Sequence, residues 1–155
     1  MEPHRRVVVI AMRCLVLCAM LGFMPSGLSV SVVHFADPNV EVAVREALGK
    51  PTGDITVEDM AGLTSLTARN RDIKDLTGLE YAANLQQLEL AGNSVGDLSP
   101  LAGLRNLRVL ALGSNRISDL SPLAGLTDLE QLYLDGNQVS DLSPLRALEE
   151  LYLLV

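Results

Sequence analysis

The sequence predicts an α/β repeat solenoid, in which short parallel strands stack beside short helical turns. The main observation is a 22-residue spacing that places leucines and asparagines in register through the second half of the chain. A second observation is composition: 48% of the 155 residues are hydrophobic but only 3% are aromatic, so the core must consist of aliphatic layers. An amphipathic helical pattern precedes the repeats and predicts a helical cap.

The repeats occupy residues 63–155. Three units are complete: LQQLELAGNSVGDLSPLAGLRN from Leu85, LRVLALGSNRISDLSPLAGLTD from Leu107 and LEQLYLDGNQVSDLSPLRALEE from Leu129. A more divergent unit begins at Leu63, and a fifth begins at Leu151. A single unit cannot bury its leucines alone, because the backbone entropy it loses exceeds what one apolar face returns. Stacking is therefore required, and four units with the start of a fifth form the array.

Each unit is predicted to contain a strand, a turn and a helical turn. The LxxLxL segment is the strand, since alternate residues point to the same side. An Asn follows in the turn, and its amide satisfies backbone groups there. Stacking then predicts a buried structural ladder of Asn93, Asn115 and Asn137. The motif V/I-x-D-L-S-P-L follows, where Asp and Ser cap a short helical turn that contains Pro.

Residues 32–62 are predicted to form an N-terminal helical cap. Asp37-Pro38 is a cap residue followed by proline, and Gly49 ends the helix. Thr56 and Asp59 resemble a capping box that opens a second helix. The apolar residues of the first helix fall on one face: Val40, Val44, Ala47 and Leu48.

Residues 1–31 have the features of a secretory signal. MEPHRR is basic, an apolar stretch follows, and PSGLSVS supplies small residues. Cleavage after Ser29 or Ser31 fits this pattern. The alternative is a retained N-terminal anchor, although Arg13 interrupts so short a span at a cost of ~2.5–3.5 kcal/mol. Both interpretations predict a protein that is secreted or held at the cell surface.

Charge and cysteine content restrict the function. Residues 32–155 carry 9 basic and 18 acidic residues, a net charge of −9, so nucleic acid is not expected as a partner. A membrane is expected as a partner only if the N-terminal segment is retained. Both cysteines, Cys14 and Cys18, lie in that segment. The rest of the chain therefore has no disulfide, thiol nucleophile or cysteine zinc site.

Residues 35–155 resemble the bacterial internalin-like leucine-rich-repeat proteins. The resemblance rests on the 22-residue unit, the phrase GNQVSDLSPL and the lead-in HFADPNVEVAVREALGKPTGDITVEDMAGLTSL. It implies a curved array with parallel strands on the concave face, a helical cap, export to the surface and protein binding on the concave face. Intracellular relatives resemble phosphatase-regulating repeat proteins, but the signal argues against that use.

The predicted ligand-binding residues flank the core leucines of each strand or follow it: Gln87, Glu89, Val109, Ala111, Gln131, Tyr133 and Asp135. Ala91, Gly113 and Ser114 also follow the strands. Tyr133 is the best single anchor, because tyrosine combines contact area with a polar end. The identity of the protein ligand is not predicted.

No enzyme, cofactor or metal site is predicted. The sequence lacks HExxH, GxSxG and phosphate-loop motifs, and His34 is the sole histidine after residue 31. Asp97, Asp119 and Asp141 recur with the repeat, which favours capping of the helical turns. Weak calcium binding along this row is the alternative, but a single row offers too few oxygen ligands.

The last strand, LYLLV, has no cap after it, which is an aggregation hazard. We expect either a truncated chain or self-association through the uncapped C-terminal repeat. A face of four or five strands offers roughly 300 Å² against ~800 Å² in a standard interface, which also favours truncation. The alternative function is therefore a structural spacer within a longer surface protein.

Overall fold

The computed structural model describes residues 30–155, so the predicted export signal lies almost wholly outside the described residues. Residues 31–155 form one compact unit. Within the described part of the chain, no helix is long and apolar enough to cross a membrane.

Two helices form a helical segment, residues 31–62, ahead of the repeats. Helix α1 is Pro38–Leu48 and helix α2 is Val57–Ala61. The Asp37 carboxylate accepts a hydrogen bond from the N–H of Asn39, and Gly49 ends α1 with a left-handed φ of 62°. Both bonds of the predicted capping box at Thr56 and Asp59 are present.

The predicted apolar face of α1 is wrong at one position. Val40, Ala43 and Val44 are buried, whereas Ala47 is exposed and Leu48 is half-buried. Ala47 shares the azimuth of Val40 but is exposed in the last turn of the helix, whereas its neighbour Leu48 packs against the core. Periodicity identifies the buried side of a helix but not how far the packed surface extends along its axis.

The repeats form one five-stranded parallel sheet in the order β1 to β5. The strands are Ser65–Thr67, Gln87–Glu89, Val109–Ala111, Gln131–Tyr133 and Leu153–Leu154. Each residue pairs with the residue 22 positions away, so the sequence repeat is also the sheet register. Opposite the strands lie 3₁₀ helical turns at Leu79–Tyr81, Ser99–Leu101, Ser121–Gly125 and Ser143–Ala147. This architecture confirms the predicted leucine-rich-repeat solenoid.

The core is a ladder of aliphatic side chains between the strands and the 3₁₀ turns. Leu88, Leu110 and Leu132, the central residues of three strands, are each 0% exposed. Leu154 holds the equivalent position in the last described repeat and is 44% exposed. Among the described residues, this repeat has a neighbour on one side only, so Leu154 is more exposed than its equivalents within the array.

Candidate functional site: a groove on the sheet face

The exposed face of the sheet carries two rows of side chains on either side of the buried leucines. One row is formed by the first residues of the strands and the other by the third residues, and the parallel register aligns each row across the sheet. The row of first residues is Ser65, Gln87, Val109 and Gln131. The row of third residues is Thr67, Glu89, Ala111 and Tyr133.

These rows border a groove of about 410 Å³ that runs along β3. Its floor has only short, uncharged residues, since Val109 and Ala111 belong to β3 and Gly113 follows that strand. The longer side chains of β2 and β4 form its two walls. All seven residues predicted from the sequence line this groove, together with Arg69, Ala91, Gly113 and Ser114.

Arg69 is the lining residue that the sequence prediction missed. It lies 22 residues before Ala91, and Gly113 and Asp135 follow Ala91 at two further intervals of 22 residues. The row therefore extends back into the divergent first unit, and the spacing alone was sufficient to find Arg69. The weak leucine pattern of that unit obscured the signal.

On the β2 wall, charged and polar side chains form a network of contacts centred on Glu89. Arg69 Nε lies 2.9 Å from Glu89 Oε2 in an ion pair. Gln87 Nε2 donates to Glu89 Oε1 at 2.8 Å, and Thr67 Oγ1 donates to Glu89 Oε2 at 3.4 Å. The Glu89 carboxylate thus has a cationic partner and two polar partners within the protein.

The β4 wall is organised around Tyr133. Its hydroxyl donates to Gln131 Oε1 at 3.1 Å, and Gln131 Nε2 donates to Tyr152 Oη at 2.7 Å. Asp135 follows on the same wall and is exposed. Among the described residues Asp135 takes part in no ion pair, unlike Glu89 on the opposite wall.

Gly113 allows the Asp135 carboxylate to lie over the end of the groove floor. A Cβ placed on Gly113 would collide with Oδ1 of the Asp135 carboxylate. A larger residue at this position would displace the carboxylate, so the glycine leaves room for the negative charge at this end of the groove.

An asparagine ladder holds successive repeats together beneath the groove edge. Asn115 Oδ1 accepts from the N–H of Val95 at 3.0 Å, and Nδ2 donates to the carbonyls of Leu90 and Leu112 at 3.0 and 2.9 Å. Asn93 and Asn137 make the equivalent bonds to their preceding repeats. Each amide therefore bonds its own repeat and the preceding one.

The first repeat joins the helical segment through different groups. Arg71 stands where the ladder has Asn, and its Nη2 lies 2.6 Å from Glu46 Oε2 on α1. The hydrogen bond and ion pair with Arg71 lower the pKa of the Glu46 carboxyl. Buried Asp37 links the two parts as well, because its Oδ2 accepts from the N–H of Lys74 at 2.8 Å. Asp37 thus caps α1 and bonds the first repeat.

The row of Asp97, Asp119 and Asp141 binds backbone groups on the far side of the solenoid. Each carboxylate accepts from the N–H of the serine two residues later at 2.8 Å. These serine bonds lower the pKa values of Asp119 and Asp141. The N-cap residues of the turns are the intervening leucines, so each Asp lies one residue earlier than a conventional cap.

The remaining candidates from the sequence bear on catalysis and metal binding. His34 is exposed. Within residues 30–155, no group of three or more His, Cys, Asp or Glu side chains could hold a metal ion.

Comparison with known proteins identifies the repeats. Residues 105–147 match the family of Leucine Rich repeats (2 copies). A search of curated proteins gave no match. Among solved structures, an internalin (InlF) from Listeria monocytogenes superposes with a TM-score of 0.78 and 34% identity, over 84% of this chain and 39% of that chain. The CBM51-2 and INT domains of Clostridium perfringens ZmpB give a TM-score of 0.53 and 34% identity, over 68% and 21%.

The chain thus spans about two fifths of the length of the internalin that it matches. The 22-residue units, the parallel register and the likeness to that internalin all indicate the same repeat fold. This chain is a leucine-rich-repeat solenoid that is similar to an internalin.

Proposed function

We propose that this chain is a non-enzymatic module that binds a protein ligand through the groove on the sheet face, at the cell surface or after secretion. Leucine-rich-repeat domains are generally protein-binding modules, and internalin-like proteins are typically surface or secreted bacterial proteins. The observation that carries the proposal is the groove itself. The short, uncharged residues of β3 leave a recess about 410 Å³ in volume between two walls of polar and aromatic side chains.

The walls suit a protein ligand because their side chains are already held in place. The Tyr133 hydroxyl and the Gln131 amide bond each other, and Glu89 is held by Arg69 and Gln87. Side chains that are ordered before binding lose less entropy on contact with a partner. Tyrosine is enriched among the residues that dominate binding energy at protein interfaces.

A pair of tyrosine substitutions tests the proposal. Tyr133→Ala is expected to weaken ligand retention in a pull-down by at least about tenfold, as for a hot-spot residue. Tyr81→Ala is the matched control, since Tyr81 is 42% exposed on the opposite, 3₁₀-turn side. Equal retention by both variants would contradict the proposal and favour a structural spacer.

The two predicted cleavage sites differ in whether cleavage there would remove a backbone hydrogen bond of the folded protein. The Ser31 carbonyl accepts from the N–H of Val57 at 3.0 Å, beside the antiparallel bridge of Val32 and Thr56. Cleavage after Ser31 would remove this acceptor, whereas cleavage after Ser29 would keep it. We propose a mature protein that begins at Val30. Intact mass spectrometry of the exported protein tests this, and a mass beginning at Val32 would contradict it.

A further inference from the structure

The groove has a narrow slot above β3 whose chemistry restricts what it can bind. Adjacent strands lie ~4.8 Å apart, so the walls on β2 and β4 stand about 10 Å from each other. The floor between them is apolar along Val109 and Ala111 and ends at Gly113, where the Asp135 carboxylate lies. The slot is therefore about one side chain wide, with an aliphatic base and a negative end.

The two carboxylates of the groove differ in whether they already have a cationic partner. Glu89 is paired with Arg69 at 2.9 Å and accepts further bonds from Gln87 and Thr67. Asp135 is exposed, and none of the ion pairs in residues 30–155 includes it. An occupant that covered Asp135 without a cation would desolvate a charge with no compensation, which is costly.

The dimensions fit a long basic side chain. Ala111 and Gly113 are two residues apart along an extended chain, a distance of about 7 Å. The four-carbon stem of lysine is roughly 6 Å long from standard bond lengths. A stem lying on Ala111 would therefore bring its ammonium to Asp135, and an arginine in the same slot would lie beside Tyr133, the register partner of Ala111 on β4.

We propose that this slot is the subsite for one Lys or Arg side chain of the protein ligand, with its aliphatic stem on Val109 and Ala111 and its cationic group at Asp135. The inference rests on the proposed function and specifies the chemistry of the partner. Residues 32–155 carry 18 acidic and 9 basic residues, and the resulting net charge of −9 also attracts a basic partner.

Selection of random peptides on the protein, followed by binding measurements with a selected peptide, tests the inference. We expect selected peptides that require Tyr133 to share a Lys or Arg. Replacing that Lys by norleucine, or that Arg by citrulline, is expected to weaken binding at least about tenfold. Asp135→Asn is expected to cause a similar loss for the basic peptide and little further loss for the neutral one.

Asp128→Asn is the matched control, because Asp128 is also exposed but lies outside the groove. Ala111→Leu gives a second test, since the larger side chain occupies the slot and is expected to exclude the basic side chain. An equal loss from Asp128→Asn and Asp135→Asn would show general charge attraction and overturn the inference.

Failure of the inference is distinguishable from failure of the proposed function. Peptides that lose binding in Tyr133→Ala but tolerate both norleucine and Asp135→Asn would overturn the basic subsite and leave the binding groove intact. Selection that yields no peptide dependent on Tyr133 would contradict both.

Discussion

Two kinds of joint hold this molecule together, and their polar groups differ. Between repeats, the buried joint is an asparagine amide, as when Asn115 accepts from Val95 and donates to Leu90. Between the helical segment and the first repeat, a buried carboxylate on Asp37 accepts from Lys74, and Arg71 pairs with Glu46. The joint between repeats uses a neutral amide that both donates and accepts hydrogen bonds. The joint to the helical segment uses charged groups that either only donate or only accept.

The difference follows from translational symmetry. A repeat that stacks on a copy of itself presents N–H donors and C=O acceptors at the same edge, and an amide satisfies both. The helical segment is not a copy of the repeat, so it offers a different set of groups to the first repeat. The contact therefore uses separate groups: Asp37 of the helical segment accepts from the first repeat, and Arg71 of the first repeat donates to Glu46.

The largest expected effect is on the repeat joint. Asn115→Asp replaces the amide donor by a carboxylate oxygen facing the carbonyls of Leu90 and Leu112. We expect a loss of about 4 kcal/mol in the free energy of unfolding, measured by urea denaturation. Asn106→Asp is the control, because the side chain of Asn106 bonds Ala83 in an exposed environment, and its cost should stay below about 1 kcal/mol. Equal costs would show that the ladder amide is not special.

The second effect compares one core position inside and at the edge of the array. Leu110 is 0% exposed and Leu154 is 44% exposed at the equivalent position. Leu110→Ala is expected to cost about 3 kcal/mol, because it removes buried area and leaves a cavity. Leu154→Ala is expected to cost less than about 1 kcal/mol. Thermal unfolding measures both, and similar shifts in Tm would contradict the open edge of the last described repeat.

The third effect concerns the helical segment. Asp37→Ala removes the cap of α1 and the acceptor for Lys74, with an expected cost of about 1–2 kcal/mol. Amide hydrogen exchange should accelerate in α1 while β3 stays protected. Asp54→Ala, at an exposed loop position, is the control and should leave α1 unchanged. Faster exchange throughout the repeats after Asp37→Ala would show that the two joints are not separable.

The smallest effect is a pH dependence within the helical segment. The Lys50 ammonium and the hydrogen bonds from Thr56 lower the pKa of Asp59 below 3.8. A lowered pKa stabilises the folded state above the unfolded pKa, and this contribution is lost as the pH falls through the folded pKa. Asp59→Asn should therefore be about 1 kcal/mol less stable than the natural chain at pH 7, with the difference vanishing below the folded pKa. A difference that persists unchanged at about pH 2 would contradict this account.

The positions of residues that recur in every repeat could be predicted from the sequence, whereas contacts that occur only once were harder to predict. The 22-residue spacing predicted the strands, and the parallel register follows from it because translation aligns equivalent residues. It also placed Gln87, Glu89, Gln131 and Tyr133 on one face. The bond from Asp37 to Lys74 has no periodic signal, since it joins groups 37 residues apart in a contact that occurs once. Burial of Ala43 instead of Ala47 likewise depends on where α1 meets the repeats.

Self-association through the last repeat stays a prediction. The edge leucines Leu142 and Leu154 are 51% and 44% exposed, and apolar surface of this kind favours a covering partner. Sedimentation of the natural chain and of a Leu142→Glu, Leu154→Glu variant distinguishes the outcomes. A dimer in the natural chain alone would support self-association, and a monomer in both would contradict it.

Site-specific photo-crosslinking tests the central claim, that the sheet-face groove binds a protein. A photoreactive side chain is placed at Gln131 on the β4 wall or at Ala102, an exposed position on the 3₁₀-turn side. The protein is then irradiated while it is in contact with its natural surfaces and medium. Protein adducts formed from Gln131 but not from Ala102 are the result that this account predicts. Adducts of equal yield from both positions, or none from Gln131, would contradict it.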